Sequence, residues 1–135
     1  MRHLITSSLL RDSVSVLEPS TPISLDIKST VADAIHVMKE HRIGCVLIID
    51  DAELVGIFSE RDILTKALGR GMDHSQTQIV DVMTGEPECL HYEDSVGFAL
   101  NKMSVGSFRH IPLVDTENRP VGLISAKDIF RYLVS

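Results

Sequence analysis

The chain writes one pattern twice. Residues 55–64 read VGIFSERDIL and residues 121–130 read VGLISAKDIF, both spelling V-G-h-h-S-x-x-D-I with h apolar. Asp62 maps to Asp128 at an offset of 66. Upstream the offset is 65, pairing Pro22 with Pro87, Leu25 with Leu90, Val31 with Val96, Ala34 with Ala99, Met38 with Met103 and Asp50 with Asp115. One extra residue in TENRP (116–120), against DAEL (51–54), accounts for the change. Eleven positions from Pro22 to Ile63 are identical to their counterparts, where chance gives roughly three. A duplication of this period dictates two like units, which must be recognised before any other reading.

Each copy carries the same order of elements. TVADAIHVMKEH opens with Thr30 and Asp33 in a T-x-x-D capping pattern. Val31, Ala34, Ile35 and Met38 then form one apolar helical stripe, repeated by Val96, Ala99, Leu100 and Met103. CVLIID (45–50) and HIPLVD (110–115) read as short buried strands. A polar turn leads to a second strand in each copy, so 45–50 is expected to pair with 54–59 and 110–115 with 121–125. Each motif ends by opening a helix, ERDILTKAL or AKDIFRYLV. The unit is helix–strand–strand–helix after an extended piece holding Pro22 or Pro87. One such unit buries too little to stand alone, so two pack together.

GRGMDHSQTQ (69–78) is polar and Gly-rich enough to stop a helix at Gly69 and link the copies. The expected organisation is an N-terminal extension (1–15), repeat 1 (16–70), a linker (71–79) and repeat 2 (80–135). The first twenty or so residues lie outside the repeat and read either as a helix or as a partner-binding arm.

Composition removes several classes of function. The net charge of −6, from 13 basic and 19 acidic residues, argues against a nucleic-acid surface. No apolar run approaches the length of a membrane span, and Arg11 and Asp12 break the apolar start, which does not read as a signal peptide. Cys45 and Cys89 form no C-x-x-C pair and read as buried or half-buried thiols of a cytoplasmic protein. Six histidines are scattered, and His36 and His41 are five apart rather than the four of a helical metal pair. No metal site is expected.

The repeated G-h-h-[ST]-x-x-D motif, the M-T-x-x-P-like stretch MTGEPECL (83–90) and the strand FRHIPLVD (108–115) resemble the CBS domain. Two copies in order resemble a tandem pair, or Bateman module, over about residues 16–135, and small stand-alone bacterial CBS-pair proteins in particular. The resemblance implies a mixed α/β (α+β) fold of two β-α-β-β-α repeats with pseudo-twofold symmetry. It also implies two clefts that take an adenosine-containing ligand such as AMP, ADP, ATP, S-adenosylmethionine or a dinucleotide. The motif Asp would hold the ribose hydroxyls, the motif Ser would lie near ribose or phosphate, and the extended lead-in piece, here Ile23, would line the base. Basic residues of the other repeat would reach the phosphate.

The residues themselves suit that chemistry. A carboxylate accepts from both hydroxyls of a ribose. Ser59 and Asp62 fall on a first helical turn, where free N–H groups favour an anion. Gly56 and Gly122 allow close backbone approach. The competing reading is structural: S-x-x-D is also a capping box. The clefts are expected to differ, because Arg109 and His110 align with Gly44 and Cys45. A crossed arrangement makes Ser59, Asp62, Arg109, His110 and Ile23 the primary, phosphate-competent cleft. Ser125 and Asp128 form the weaker secondary cleft, with Arg42 or His41 as substitutes if their loop turns inward. Arg109 and His110 read alternatively as a solvated strand start. Arg61 and Lys127 reach phosphate or are simply solvated.

The leading functional expectation is a regulatory module that is not an enzyme, needs no cofactor and takes an adenine nucleotide as regulatory ligand. Binding would change the angle between repeats and so a surface read by a regulated protein partner. The alternative is an interaction or dimerisation module in which the motifs only cap helices. Neither a Ser-His-Asp order, nor a P-loop, nor a carboxylate pair points to catalysis. A homodimer is expected, with no membrane and no nucleic-acid partner.

Overall fold

The computed structural model describes residues 8–68 and 71–135. The expected helix stop at Gly69 and the first seven residues of the N-terminal extension lie outside the described residues. The chain divides into two compact units, one of Ile23–Pro87 and one joining residues 8–22 to Glu88–Ser135.

The unit Ile23–Pro87 is built on a four-stranded sheet of β1 (Ser24–Asp26), β2 (Cys45–Asp50), β3 (Glu53–Ser59) and β4 (Thr84–Gly85), in that order. β1 runs parallel to β2, and the other pairs are antiparallel. Helix α1 (Val31–His41) starts where the sequence signals it. The Thr30 hydroxyl accepts from the Asp33 N–H at 3.1 Å, and the Asp33 carboxylate accepts from the Thr30 N–H at 2.9 Å. Val31, Ala34 and Met38 are buried along its inner stripe. They pack against Val46, Ile48, Phe58, Ala67, Ile79 and Val82. Each large apolar side chain so buried contributes about 1.5–3 kcal/mol.

The second unit repeats the design. Helix α3 (Val96–Gly106) buries Val96, Ala99 and Met103. Strands β5 (His110–Val114) and β6 (Pro120–Ser125) pair antiparallel, and α4 (Ala126–Val134) follows. Ile111, Leu113 and Ile124 occupy the core positions of Val46, Ile48 and Phe58. The two hairpins differ at the tip. Asp51 and Ala52, both left-handed, make a two-residue turn between Asp50 and Glu53, the geometry that suits a twisted hairpin. In the second hairpin Asp115 accepts from the N–H groups of Glu117 and Arg119, closing a loop one residue longer. That loop absorbs the shift in repeat offset.

The first strand of the second repeat is reduced to a single parallel bridge between Leu90 and Leu113. The cause is one residue. In the first unit the Leu47 N–H donates to the Ile23 carbonyl at 2.9 Å. The counterpart of Leu47 is Pro112, which has no N–H to extend the ladder.

The repetition reaches further upstream in space than residue identity reveals. The turn Val14–Leu17 corresponds to Ile79–Asp81, with Val14 and Ile79, and Leu17 and Val82, buried at equivalent places. The bridges Ser13–Ser95 and Thr30–Gln78 are likewise equivalent. Each lead-in packs within the unit that holds the body of the other repeat: Val14 and Leu17 with Val96 and Ile111, and Ile79 and Val82 with Val31 and Val46.

Candidate functional site

Both S-x-x-D sequences fold as reciprocal capping boxes. Helix α2 (Glu60–Asp62) follows Ser59 directly. The Ser59 N–H donates to Asp62 Oδ2 at 2.9 Å, and the Asp62 N–H donates to Ser59 Oγ at 3.3 Å. At the second motif the Ser125 N–H donates to Asp128 Oδ2 at 2.7 Å, and the Asp128 N–H to Ser125 Oγ at 3.3 Å. The caps use Oδ2 of each carboxylate, and the second oxygen, Oδ1, takes other partners.

The surroundings of those Oδ1 atoms differ. Asp62 is 5% exposed and is the one buried charged residue among those described. Its Oδ1 accepts from the Thr84 hydroxyl at 3.1 Å and meets Lys66 Nζ at 3.0 Å. Lys66 also lies 3.5 Å from the Met83 carbonyl and 3.4 Å from Thr84 Oγ1. Beyond Asp62 the helix widens into a π-type turn, Ile63–Ala67, closed by the Leu68 N–H on the Ile63 carbonyl at 2.9 Å. Such turns occur mostly as local insertions and often at functional positions. Met83 lies over Gly56, where an added Cβ would fall 2.3 Å from the Met83 sulfur.

At the second motif, Oδ1 of Asp128 is paired with the guanidinium of Arg131, whose side chain is 73% exposed. The counterpart of Thr84 is Pro19, which offers no hydroxyl. It lies beside Gly122, together with Tyr92 and Leu113. The counterpart of Lys66 is Tyr132, whose hydroxyl donates to Asp12 Oδ2 at 2.6 Å.

The strand starts carry the remaining candidates. His110 pairs with Ser125 across β5 and β6, and the Arg109 carbonyl accepts from the Ala126 N–H at 2.9 Å. Cys45 pairs with Ser59 in the same way, and the Gly44 carbonyl accepts from the Glu60 N–H at 3.0 Å. Arg109 is exposed and His110 half-buried. The fold thus brings Arg109, His110, Ser125 and Asp128 together in one unit, and holds Ile23, Ser59 and Asp62 in the other. Arg42 is the left-handed C-cap of α1 and, like His41, is exposed. Arg61 and Lys127 are exposed on their helices.

The Cys45 thiol is pushed up to about 12, first by burial and then by the nearby charge of Glu60. It is an inert thiol of the core rather than a nucleophile. No group of three or more His, Cys, Asp or Glu side chains among the described residues is arranged to hold a metal ion. No helix among them is long and apolar enough to cross a membrane.

Thr84 and Lys66 are absent from the sequence-based list of site residues. Lys66 is four residues beyond Asp62, a spacing that pairs charges on a helix, so it was readable. Thr84 is contributed by a lead-in segment that docks as β4, and its approach to Asp62 had no local signal.

The CBS domain family model matches residues 14–69 and 79–135. The chain belongs to the CBS domain family. Among curated relatives, the mitochondrial CBS domain-containing protein CBSX3 of Arabidopsis thaliana is 32% identical over 110 residues, covering 78% of this chain and 53% of that protein. The inosine-5'-monophosphate dehydrogenase of Methanocaldococcus jannaschii is 30% identical over 110 residues, 81% of this chain but 21% of the enzyme. This CBS pair spans less than two thirds of the curated relatives it matches, as in the 63% covered of an Acidianus ambivalens protein. Among solved structures, a CBS domain pair in complex with 5'-methylthioadenosine and S-adenosyl-L-methionine is 28% identical with a TM-score of 0.81, covering 90% of this chain and 98% of that one. A CBS-domain containing protein from Agrobacterium tumefaciens is 25% identical with a TM-score of 0.80, over 90% and 98% of the two chains.

Proposed function

We propose that this CBS pair is a regulatory module that binds an adenosine-containing ligand and signals to a protein partner through the relative arrangement of its repeats. The observation that carries the reading is the paired carboxylate. Asp62 and Asp128 occupy equivalent positions, each with one oxygen spent on a helix cap and the other directed elsewhere. The relative solved with two adenosyl compounds supports the ligand class. The primary cleft combines Ser59 and Asp62 for the ribose, Ile23 beside the base, and Arg109 and His110 for a phosphate. Ser125 and Asp128 serve a second, weaker cleft. The module performs no catalysis.

A homodimer fits this reading. Leu64 and Phe130 are repeat-equivalent and 68% and 64% exposed, as are Leu68 and Val134 at 49% and 65%. Each repeat thereby presents the same apolar positions outward, positions suited to a symmetric contact.

A second reading has its own support. The complete capping boxes at Ser59 and Ser125 explain the motif without any ligand, and an interaction or dimerisation module needs nothing more. Mass spectrometry of small molecules released from the purified protein separates the two. Recovery of an adenosyl compound at a substantial fraction of the protein concentration supports the sensor. A protein that carries none, and whose melting temperature no adenine nucleotide shifts at millimolar concentration, is the interaction module.

A further inference from the structure

The Asp62 carboxylate is already occupied by the protein. Its capping oxygen is taken by Ser59, and its other oxygen is shared between the Thr84 hydroxyl at 3.1 Å and the Lys66 ammonium at 3.0 Å. The Asp62 side chain is only 7% exposed, while that of Lys66 is 36% exposed. The ammonium therefore stands at the mouth of a buried carboxylate. Its further contacts, at 3.5 Å to the Met83 carbonyl and 3.4 Å to Thr84, are long for hydrogen bonds. This is a cation held chiefly by one carboxylate and able to leave it toward solvent.

We propose that Lys66 and Thr84 form a built-in gate on Asp62 that selects phosphorylated ligands over uncharged nucleosides. The inference rests on the adenosyl-ligand reading of the Asp62 cleft. A ribose can donate its hydroxyls to Oδ1 only by displacing Lys66 and the Thr84 hydroxyl. An uncharged nucleoside replaces an ionic contact with neutral hydrogen bonds and leaves an ammonium without its carboxylate. That exchange is unfavourable, because hydrogen bonds to charged groups are the stronger ones. A ligand that carries phosphate supplies a new anion for the released ammonium and recovers the loss.

The gate is specific to one repeat. At Asp128 the position of Thr84 is Pro19 and that of Lys66 is Tyr132, which is turned to Asp12. The cation there, Arg131, is 73% exposed and its pairing is weakened by solvent. The Asp128 cleft therefore accepts uncharged adenosyl compounds more readily, and the two clefts differ in ligand charge as well as in strength.

The test is calorimetric titration of adenosine and of AMP in an Asp128→Asn background, so that the Asp62 cleft reports alone, with the Asp128-intact chain as a control. Lys66→Met and Thr84→Val are compared with the unaltered gate, and Lys66→Gln serves as a second variant should methionine disturb the fold. Adenosine is expected to tighten by about tenfold on loss of the ammonium, the scale of one charge-assisted hydrogen bond. AMP is expected to change by much less, so the ratio of AMP to adenosine affinity falls. An unchanged ratio, or adenosine binding that weakens in both Lys66 variants, overturns the gate while leaving adenosyl binding intact. Absence of binding by every protein, the Asp128-intact chain included, overturns the underlying reading and the gate with it.

Discussion

The Thr84 hydroxyl donates to the Asp62 carboxylate across 3.1 Å and 22 residues of sequence, from the lead-in of one repeat to the motif of the other. The counterpart contact at Asp128 cannot form, because Pro19 stands where Thr84 does. Two carboxylates with the same capping duty thus hold different second partners.

This difference predicts unequal stabilities. Asp62→Ala removes a capping acceptor, worth about 1 kcal/mol, and also the buried acceptor of Thr84, for a total loss of about 2 kcal/mol. The ion pair with Lys66 adds up to about 1 kcal/mol more, discounted because about a third of that side chain is in solvent. Asp128→Ala loses the cap, about 1 kcal/mol, and a pair with the largely exposed Arg131 that solvent makes weak. Urea denaturation of both variants without ligand measures the difference. Equal losses would show that the Thr84 contact contributes nothing.

The repeat, the capping boxes and the apolar helical stripes were legible because each is written in local spacing. Thr30 and Asp33 predict their own hydrogen bonds, and Val31, Ala34 and Met38 predict their own burial. The paired strands are found within a residue of their expected limits. What was not legible depends on non-local packing. Val14 and Leu17 match Ile79 and Val82 in burial without one identical residue, so a count of identities stops short of them. The missing strand at Leu90 follows from Pro112, which was read only as part of an apolar run. The position of Met83 over Gly56 and of Thr84 on Asp62 follows from the docking of β4, a two-residue strand too short to carry a pattern.

The cysteines should differ in reactivity. Cys45 is buried and its thiol is pushed up to about 12, whereas Cys89 is half-buried and raised chiefly by burial, with Lys102 acting in the opposite direction. A thiol reagent at pH 8 should label Cys89 well before Cys45 in the native protein, because the thiolate is the reactive form. The sign of the pH effect follows from the raised native value. Below the ordinary thiol value of 9.0 the Cys45 thiol is protonated in both states, and its contribution to stability is fully present. Between there and about 12 the unfolded chain releases a proton that the native one keeps, so stability declines with rising pH. Cys45→Ala should flatten that decline, and an unchanged alkaline profile would exclude Cys45 as its source.

Self-association is expected through the repeated outward positions. Sedimentation at micromolar concentration should give about twice the 14.9 kDa chain mass. Phe130→Asp, at a residue 64% exposed, should shift the equilibrium toward the monomer with little effect on the fold. A species of one chain mass in the unaltered protein would rule the dimer out.

The most direct test of the central claim is the melting temperature measured without ligand and with AMP, ADP, ATP or adenosine, for the unaltered chain and for Asp62→Ala, Arg109→Ala and Asp128→Ala, each against its own ligand-free value. At about 100 times its Kd a ligand stabilises the native state by roughly 2.7 kcal/mol, a rise of several degrees for a chain of this size. The account predicts that Asp62→Ala removes most of that rise, that Arg109→Ala weakens AMP more than adenosine, and that Asp128→Ala matters less. Loss of the shift in Asp128→Ala with a full shift in Asp62→Ala would contradict the assignment of the primary cleft. No shift with any adenine nucleotide at millimolar concentration would contradict the sensor reading itself.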